Sequence, residues 1–134
     1  MRFLVDTSAY SAFLRGHETV AEEIGRADAL VVTPIVLGEL LAGFRKGTRF
    51  DQNLARLRDF LGSPRVRWVP LDDETADRYS TLHDSLRRAG TPVPANDLWI
   101  AASAMQHGLR LLTTDPHFRR IQQIVVDLHA TDAS

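Results

Sequence analysis

Cysteine is absent from this 134-residue chain, and lysine nearly so: Lys46 stands beside fifteen arginines. Without thiols there is no disulfide framework and no thiolate metal site, in keeping with a reducing, cytoplasmic setting. The five histidines show no metal-site spacing. No apolar run is long enough to span a bilayer. Residues 29–44 come nearest, but Pro34 and Glu39 interrupt them, and they fall short of the roughly 18 to 20 residues required. The N-terminus has no basic segment followed by an apolar core, so no signal peptide is expected and the chain reads as soluble. A Gly-rich phosphate loop and a nucleophile elbow are also missing. The net charge of −1 argues against coating nucleic acid through bulk charge. Arginine forks suit bidentate phosphate contacts, but a genome preferring arginine to lysine would give the same composition, so arginine content decides little.

What is present has the proportions of an ordinary globular protein, 44% hydrophobic and 25% charged, in a length suited to one domain spanning residues 1–134. Phe3-Leu4-Val5 is a short apolar run without polar alternation, the pattern of a strand covered on both faces. Asp6 ends it, and Thr7 or Ser8 can cap a helix reaching Arg15. Further helices are expected over 18–26, 34–45, 49–61, 72–89 and 96–107, and further strands over 29–33, 66–71, 109–114 and 124–128. Gly16, Gly47, Gly90 and Gly108 mark helix ends. Asp115-Pro116 starts a short helical turn, and residues 129–134 read as a frayed tail. Strands alternating with helices predict an α/β fold with a mainly parallel sheet of about five strands.

Four acids stand out by position. Asp6 and Asp115 lie at the carboxyl ends of apolar strands, where open α/β sheets bind their ligands. Asp97 begins an apolar helix and Glu39 lies inside one. Asp6, Asp97 and Asp115 also have an ordinary reading as helix caps or first-turn acids. Glu39 has Ile35, Val36, Ala42 and Gly43 as helical neighbours, and a carboxylate in such a stripe is costly unless paired or bound to a cation. Carboxylates converging without thiolates or a histidine cluster suit a hard cation, Mg²⁺ or Mn²⁺, rather than zinc. His117, two residues after Asp115, reads as a surface residue of the last short helix.

Taken in order, Phe3-Leu4-Val5-Asp6-Thr7-Ser8, Gly38-Glu39-Leu40, Pro94-Ala95-Asn96-Asp97-Leu98-Trp99-Ile100-Ala101-Ala102 and Leu112-Thr113-Thr114-Asp115 resemble the PIN-domain ribonucleases, specifically the VapC toxins of bacterial toxin–antitoxin pairs. The resemblance covers nearly the whole chain and departs at none of the four acids. It implies a PIN-like three-layer fold and a catalytic pocket of Asp6, Glu39, Asp97 and Asp115. Asp6 and Asp97 would hold Mg²⁺, with Mn²⁺ able to substitute, while Glu39 and Asp115 act directly or through water. Thr7, Ser8, Asn96 and Thr114 would support these ligands through hydrogen bonds. The implied chemistry is metal-assisted hydrolysis of an RNA phosphodiester. The implied partners are RNA, a second copy of the chain, and a VapB-like antitoxin that blocks the cleft and provides the only route to DNA.

Three other readings compete. A phosphoaspartate phosphatase of the haloacid-dehalogenase type wants a second aspartate two residues after Asp6, where Ser8 stands. A receiver domain needs a late lysine, and the sole lysine is Lys46. A non-catalytic regulatory module would bind nucleic acid through arginines, together with a partner, and use the acids only for folding.

Overall fold

The computed structural model describes residues 1–131. Its elements run β1 (Arg2–Val5), α1 (Thr7–Leu14), α2 (Glu18–Arg26), β2 (Ala29–Val32), α3 (Pro34–Lys46), α4 (Phe50–Leu61), β3 (Val66–Trp68), α5 (Asp73–Ala89), α6 (Ala95–His107), β4 (Arg110–Thr113), a 3₁₀ helix (Pro116–Arg120) and β5 (Val126–Leu128). The five strands form one sheet in the order β3-β2-β1-β4-β5, and every pairing is parallel.

This order follows from the apolar runs. Phe3, Leu4 and Val5 in β1, all four residues of β2, and Leu111, Leu112 and Thr113 in β4 are buried. Such strands need cover on both faces. The chain builds outward from β1 through β2 to β3, then crosses back to place β4 on the other side of β1. Right-handed crossovers accordingly put α1 to α4 on one face and α5 with α6 on the other. The direction of winding reverses between β1 and β4, and the crevice at their carboxyl ends is the ligand position of such sheets.

Local chemistry fixes the helix ends. The Thr33 hydroxyl accepts from Val36 N at 3.3 Å, ahead of Pro34 in the first turn of α3. Asp72 and Thr75 form a capping box on α5. Gly90 and Gly108 close α5 and α6 in the left-handed region, at φ 71° and 62°, where a side chain would strain the backbone.

Several expectations change. Asp6, rather than Thr7 or Ser8, takes the N-cap position of α1. The strand expected over 66–71 shortens to Val66–Trp68, since it lies at the sheet edge and Pro70 has no N–H for the ladder. The tail expected from residue 129 is anchored at its start. His129 N donates to Thr113 O at 2.9 Å, and the His17 ring nitrogen Nε2 lies 2.6 Å from Ala130 O. Residues 132–134 lie outside the described residues.

Candidate active site

Asp6 emerges from β1 into the crevice and is only 4% exposed. Its backbone N–H continues the ladder to Leu112 O at 3.0 Å, so the side chain is placed by the sheet itself. Two hydroxyls converge on one carboxylate oxygen: Ser8 Oγ donates to Asp6 Oδ2 at 2.5 Å and Thr113 Oγ1 at 2.8 Å. Each hydroxyl is oriented in turn, because Thr114 N donates to Ser8 Oγ and Asp115 N to Thr113 Oγ1, both at 3.0 Å. Burial pushes the Asp6 carboxyl above its usual range, and these hydrogen bonds oppose that rise.

Glu39 reaches the same crevice from α3. The Thr7 hydroxyl donates to Glu39 Oε1 at 2.6 Å, and Asn96 Nδ2 approaches Oε2 at 3.4 Å. Its surroundings differ from the buried stripe that the sequence suggests. Glu39 is half-buried, while Ala42 and Gly43 are exposed, so Glu39 stands on the rim of the cleft and is held by polar partners.

Asp97 lies in the first turn of α6, with Pro94 at the N-cap position. Burial first, then the charges of Asp6, Asp115 and Glu39, push its carboxyl up to about 6, with His117 opposing. The charges of all three other acids therefore reach Asp97. Asp115 is the N-cap of the 3₁₀ helix, accepting from His117 N at 2.9 Å, with His117 Nδ1 3.1 Å from the same oxygen. The capping reading thus fits Asp115 in full and Asp97 only as a first-turn acid. His117 sits on the short helix, 53% exposed, and contacts Asp115 as well.

Of the four supporting residues expected, Thr7 and Asn96 bind Glu39, and Ser8 binds Asp6. Thr114 enters through its backbone N–H, and the hydroxyl on Asp6 belongs to Thr113. Thr113 escapes a reading of the sequence because threonine is ordinary in strands. The available signal is its place in a fully buried run, where a hydroxyl needs a partner.

The donor set consists of carboxylate oxygens supported by hydroxyls and an amide, with no soft ligand. Among the described residues no three acids or histidines already form a group able to hold a metal ion. Magnesium keeps several waters and is typically held by one or two carboxylates together with substrate phosphates. The residues therefore fit such a cation, and Asp6 is the one fully buried carboxylate of the four.

Comparison with known proteins identifies the family. The PIN domain family model matches residues 3–124. Ribonuclease VapC4 of Mycobacterium tuberculosis is 30% identical over 95 residues, covering 71% of this chain and 73% of that protein. Ribonuclease VapC5 of the same organism is 30% identical over 115 residues, covering 86% and 84%. The DNA-bound VapBC structure from Salmonella typhimurium superposes with a TM-score of 0.83 at 27% identity, covering 95% of this chain and 97% of that one. The chain belongs to the PIN-domain family, among its VapC ribonucleases.

Proposed function

We propose that this protein is a Mg²⁺-dependent endoribonuclease, with Mn²⁺ able to substitute, and the toxin of a toxin–antitoxin pair. The observation that carries the reading is the convergence on Asp97: beside its burial, the charges of Asp6, Asp115 and Glu39, from three other segments, all raise its carboxyl. Mutual repulsion among like charges costs stability unless a cation offsets it. A bound cation would supply Lewis-acid chemistry, activating water and offsetting charge on the phosphate.

The protein's own residues perform the rest. Asp6 and Asp97 would hold the cation, and burial around Asp6 would strengthen that attraction by excluding water. Glu39 and Asp115 would complete the shell directly or through water. Ser8 and Thr113 hold the Asp6 carboxylate in one rotamer, while Thr7 and Asn96 do the same for Glu39. Support of this kind tunes ligand orientation.

The relatives also indicate partners. The Salmonella structure is a VapBC complex on DNA, which supports a VapB-like antitoxin that blocks the cleft and carries the complex to DNA. A homodimer and a cytoplasmic location complete the proposal. Among the described residues no helix is long and apolar enough to cross a membrane.

The test is cleavage of total cellular RNA by the antitoxin-free protein with Mg²⁺, beside an EDTA control and Asp97→Ala. Discrete fragments that vanish in both controls support the proposal. Intact RNA from a folded protein that also shows no Mg²⁺-induced thermal shift would overturn it.

A further inference from the structure

A second feature flanks the acid cleft. A pocket of about 260 Å³ opens between the end of α5, Thr91, and the 3₁₀ helix with the residues that follow it. Its polar lining is Ser85, Thr91, Arg119, Arg120, Gln122 and Gln123, and no acidic side chain lines it among the described residues. The arginines on the adjoining part of α5 share one carboxylate, since Asp84 lies 2.6 Å from Arg87 and 3.0 Å from Arg88. Arg119 and Arg120 are exposed and have no such ion pair among the described residues.

The pocket is tied to the cleft on both walls. One wall is the 3₁₀ helix, whose N-cap is Asp115; at about 2 Å rise per residue, Arg119 lies about 8 Å along it from that acid. The other wall includes Thr91, six residues before Asp97 in the chain. Arg120 Nη1 donates to Pro92 O at 2.8 Å and joins the two walls, spending one donor of its fork. Gln123 Nε2 donates to Ser85 Oγ at 3.1 Å and fastens the exit of the 3₁₀ helix to α5.

We propose that this pocket binds a backbone phosphate of the RNA flanking the scissile bond, with Arg119 as the main anchor. The inference rests on the reading of the acid cleft as a ribonuclease site. The acids repel an approaching phosphate, so affinity for RNA has to come from cationic groups beside them. A guanidinium fork grips phosphate bidentately, and neighbouring amides and hydroxyls can pair with further phosphate or ribose oxygens. Holding the chain at a non-reacting phosphate also positions the reacting one. Arg119 is thus a positioning residue.

The test measures binding of bulk transfer RNA in EDTA across a salt series, and steady-state cleavage with Mg²⁺, for wild type, Arg119→Ala and Arg119→Lys. Arg26→Ala, which removes an arginine paired with Glu22, controls for net charge. Arg119→Ala should weaken binding about fivefold or more and lower the salt slope by about 0.7 to 0.9, the value of one phosphate contact. KM should rise while kcat is retained, and Arg119→Lys should recover part of the loss. Unchanged affinity and slope with an unchanged melting temperature would overturn the proposal, as would an equal loss in Arg26→Ala. Binding of polyglutamate that depends on Arg119 when RNA binding does not would assign the pocket to an acidic peptide instead. If wild type cleaves RNA but Arg119→Ala matches it throughout, only this inference fails; if wild type neither binds nor cleaves RNA, both readings fall.

Discussion

Thr113 Oγ1 donates to Asp6 Oδ2 at 2.8 Å, joining the last residue of β4 to the residue that follows β1. The bond crosses the point where the sheet reverses its winding. It couples the two halves of the fold at the carboxylate that the proposed chemistry uses most directly. The same hydroxyl oxygen accepts from Asp115 N, so one buried threonine sets the position of two acids.

Thr113→Val keeps the shape of the side chain and removes both bonds. It leaves a buried carboxylate with one hydroxyl donor fewer and the Asp115 N–H without its acceptor, a loss of about 1 to 3 kcal/mol. Thr114→Val, whose hydroxyl makes none of these bonds, should cost under about 0.5 kcal/mol. Urea denaturation of the two variants checks the difference, and equal midpoints would contradict the assignment of Thr113.

The second prediction concerns charge. Burial, and then the charges of Asp6, Asp115 and Glu39, push the Asp97 carboxyl from an ordinary 3.8 up to about 6 in the folded protein. As pH rises above that ordinary value, the unfolded chain releases this proton before the folded protein does. Wild type therefore loses stability progressively until about pH 6. Asp97→Asn escapes the loss, so without metal at pH 7.5 it should melt higher, by about 3 °C or more. At pH 3 the two proteins should melt alike, because the wild-type group is then protonated in both states. Added Mg²⁺ should raise the wild-type melting temperature more than that of the variant. Thermal scans at the two pH values, with Mg²⁺ and with EDTA, read all three outcomes.

How far the sequence discloses these features depends on what each residue touches. The runs Phe3–Val5, Ala29–Val32 and Leu111–Thr113 are legible as strands because both of their faces are buried. Val66–Trp68 is harder to delimit, since an edge strand has one partner and Trp68 is 47% exposed. Glu39 stands out in the sequence through apolar neighbours, yet two of those neighbours are exposed. Its actual partners, Thr7 and Asn96, lie 32 and 57 residues away. Spacing along one helix carries no information about such contacts. The Asp6–Thr113 bond is further still, at a separation of 107 residues, and depends on strand order, which periodicity does not encode.

At the opposite edge of the sheet, Arg110 grips Asp127 with Nε and Nη2 at 2.6 and 2.7 Å, a bidentate fork between β4 and β5. Three-residue β5 has one neighbouring strand, so this pair adds a side-chain tie to its single backbone ladder. Arg110→Met keeps the apolar stem and loses both bonds. Partial exposure of 36% and 21% limits the cost, at about 1 kcal/mol for good geometry. Hydrogen exchange at Leu128 and His129 should accelerate in the variant, and slow exchange there would show that packing alone holds the strand.

The last prediction separates support of a ligand from folding. The Thr7 hydroxyl fixes one oxygen of Glu39, and the weaker Asn96 contact fixes the other. Neither bond is deep in the core, as Glu39 is half-buried and Asn96 exposed, so Thr7→Val should leave the melting temperature within about 2 °C. Glu39 would then sample several rotamers, and the cation would have to bind a less ordered shell. Partners of this kind are worth about 10- to 100-fold in metal affinity or activity. The Mg²⁺ concentration for half-maximal RNA cleavage should therefore rise about tenfold, with the rate at saturating Mg²⁺ largely recovered. An unchanged Mg²⁺ requirement would place Glu39 outside the cation's shell. A lost rate that Mg²⁺ fails to restore would give Thr7 a direct role at the reacting phosphate.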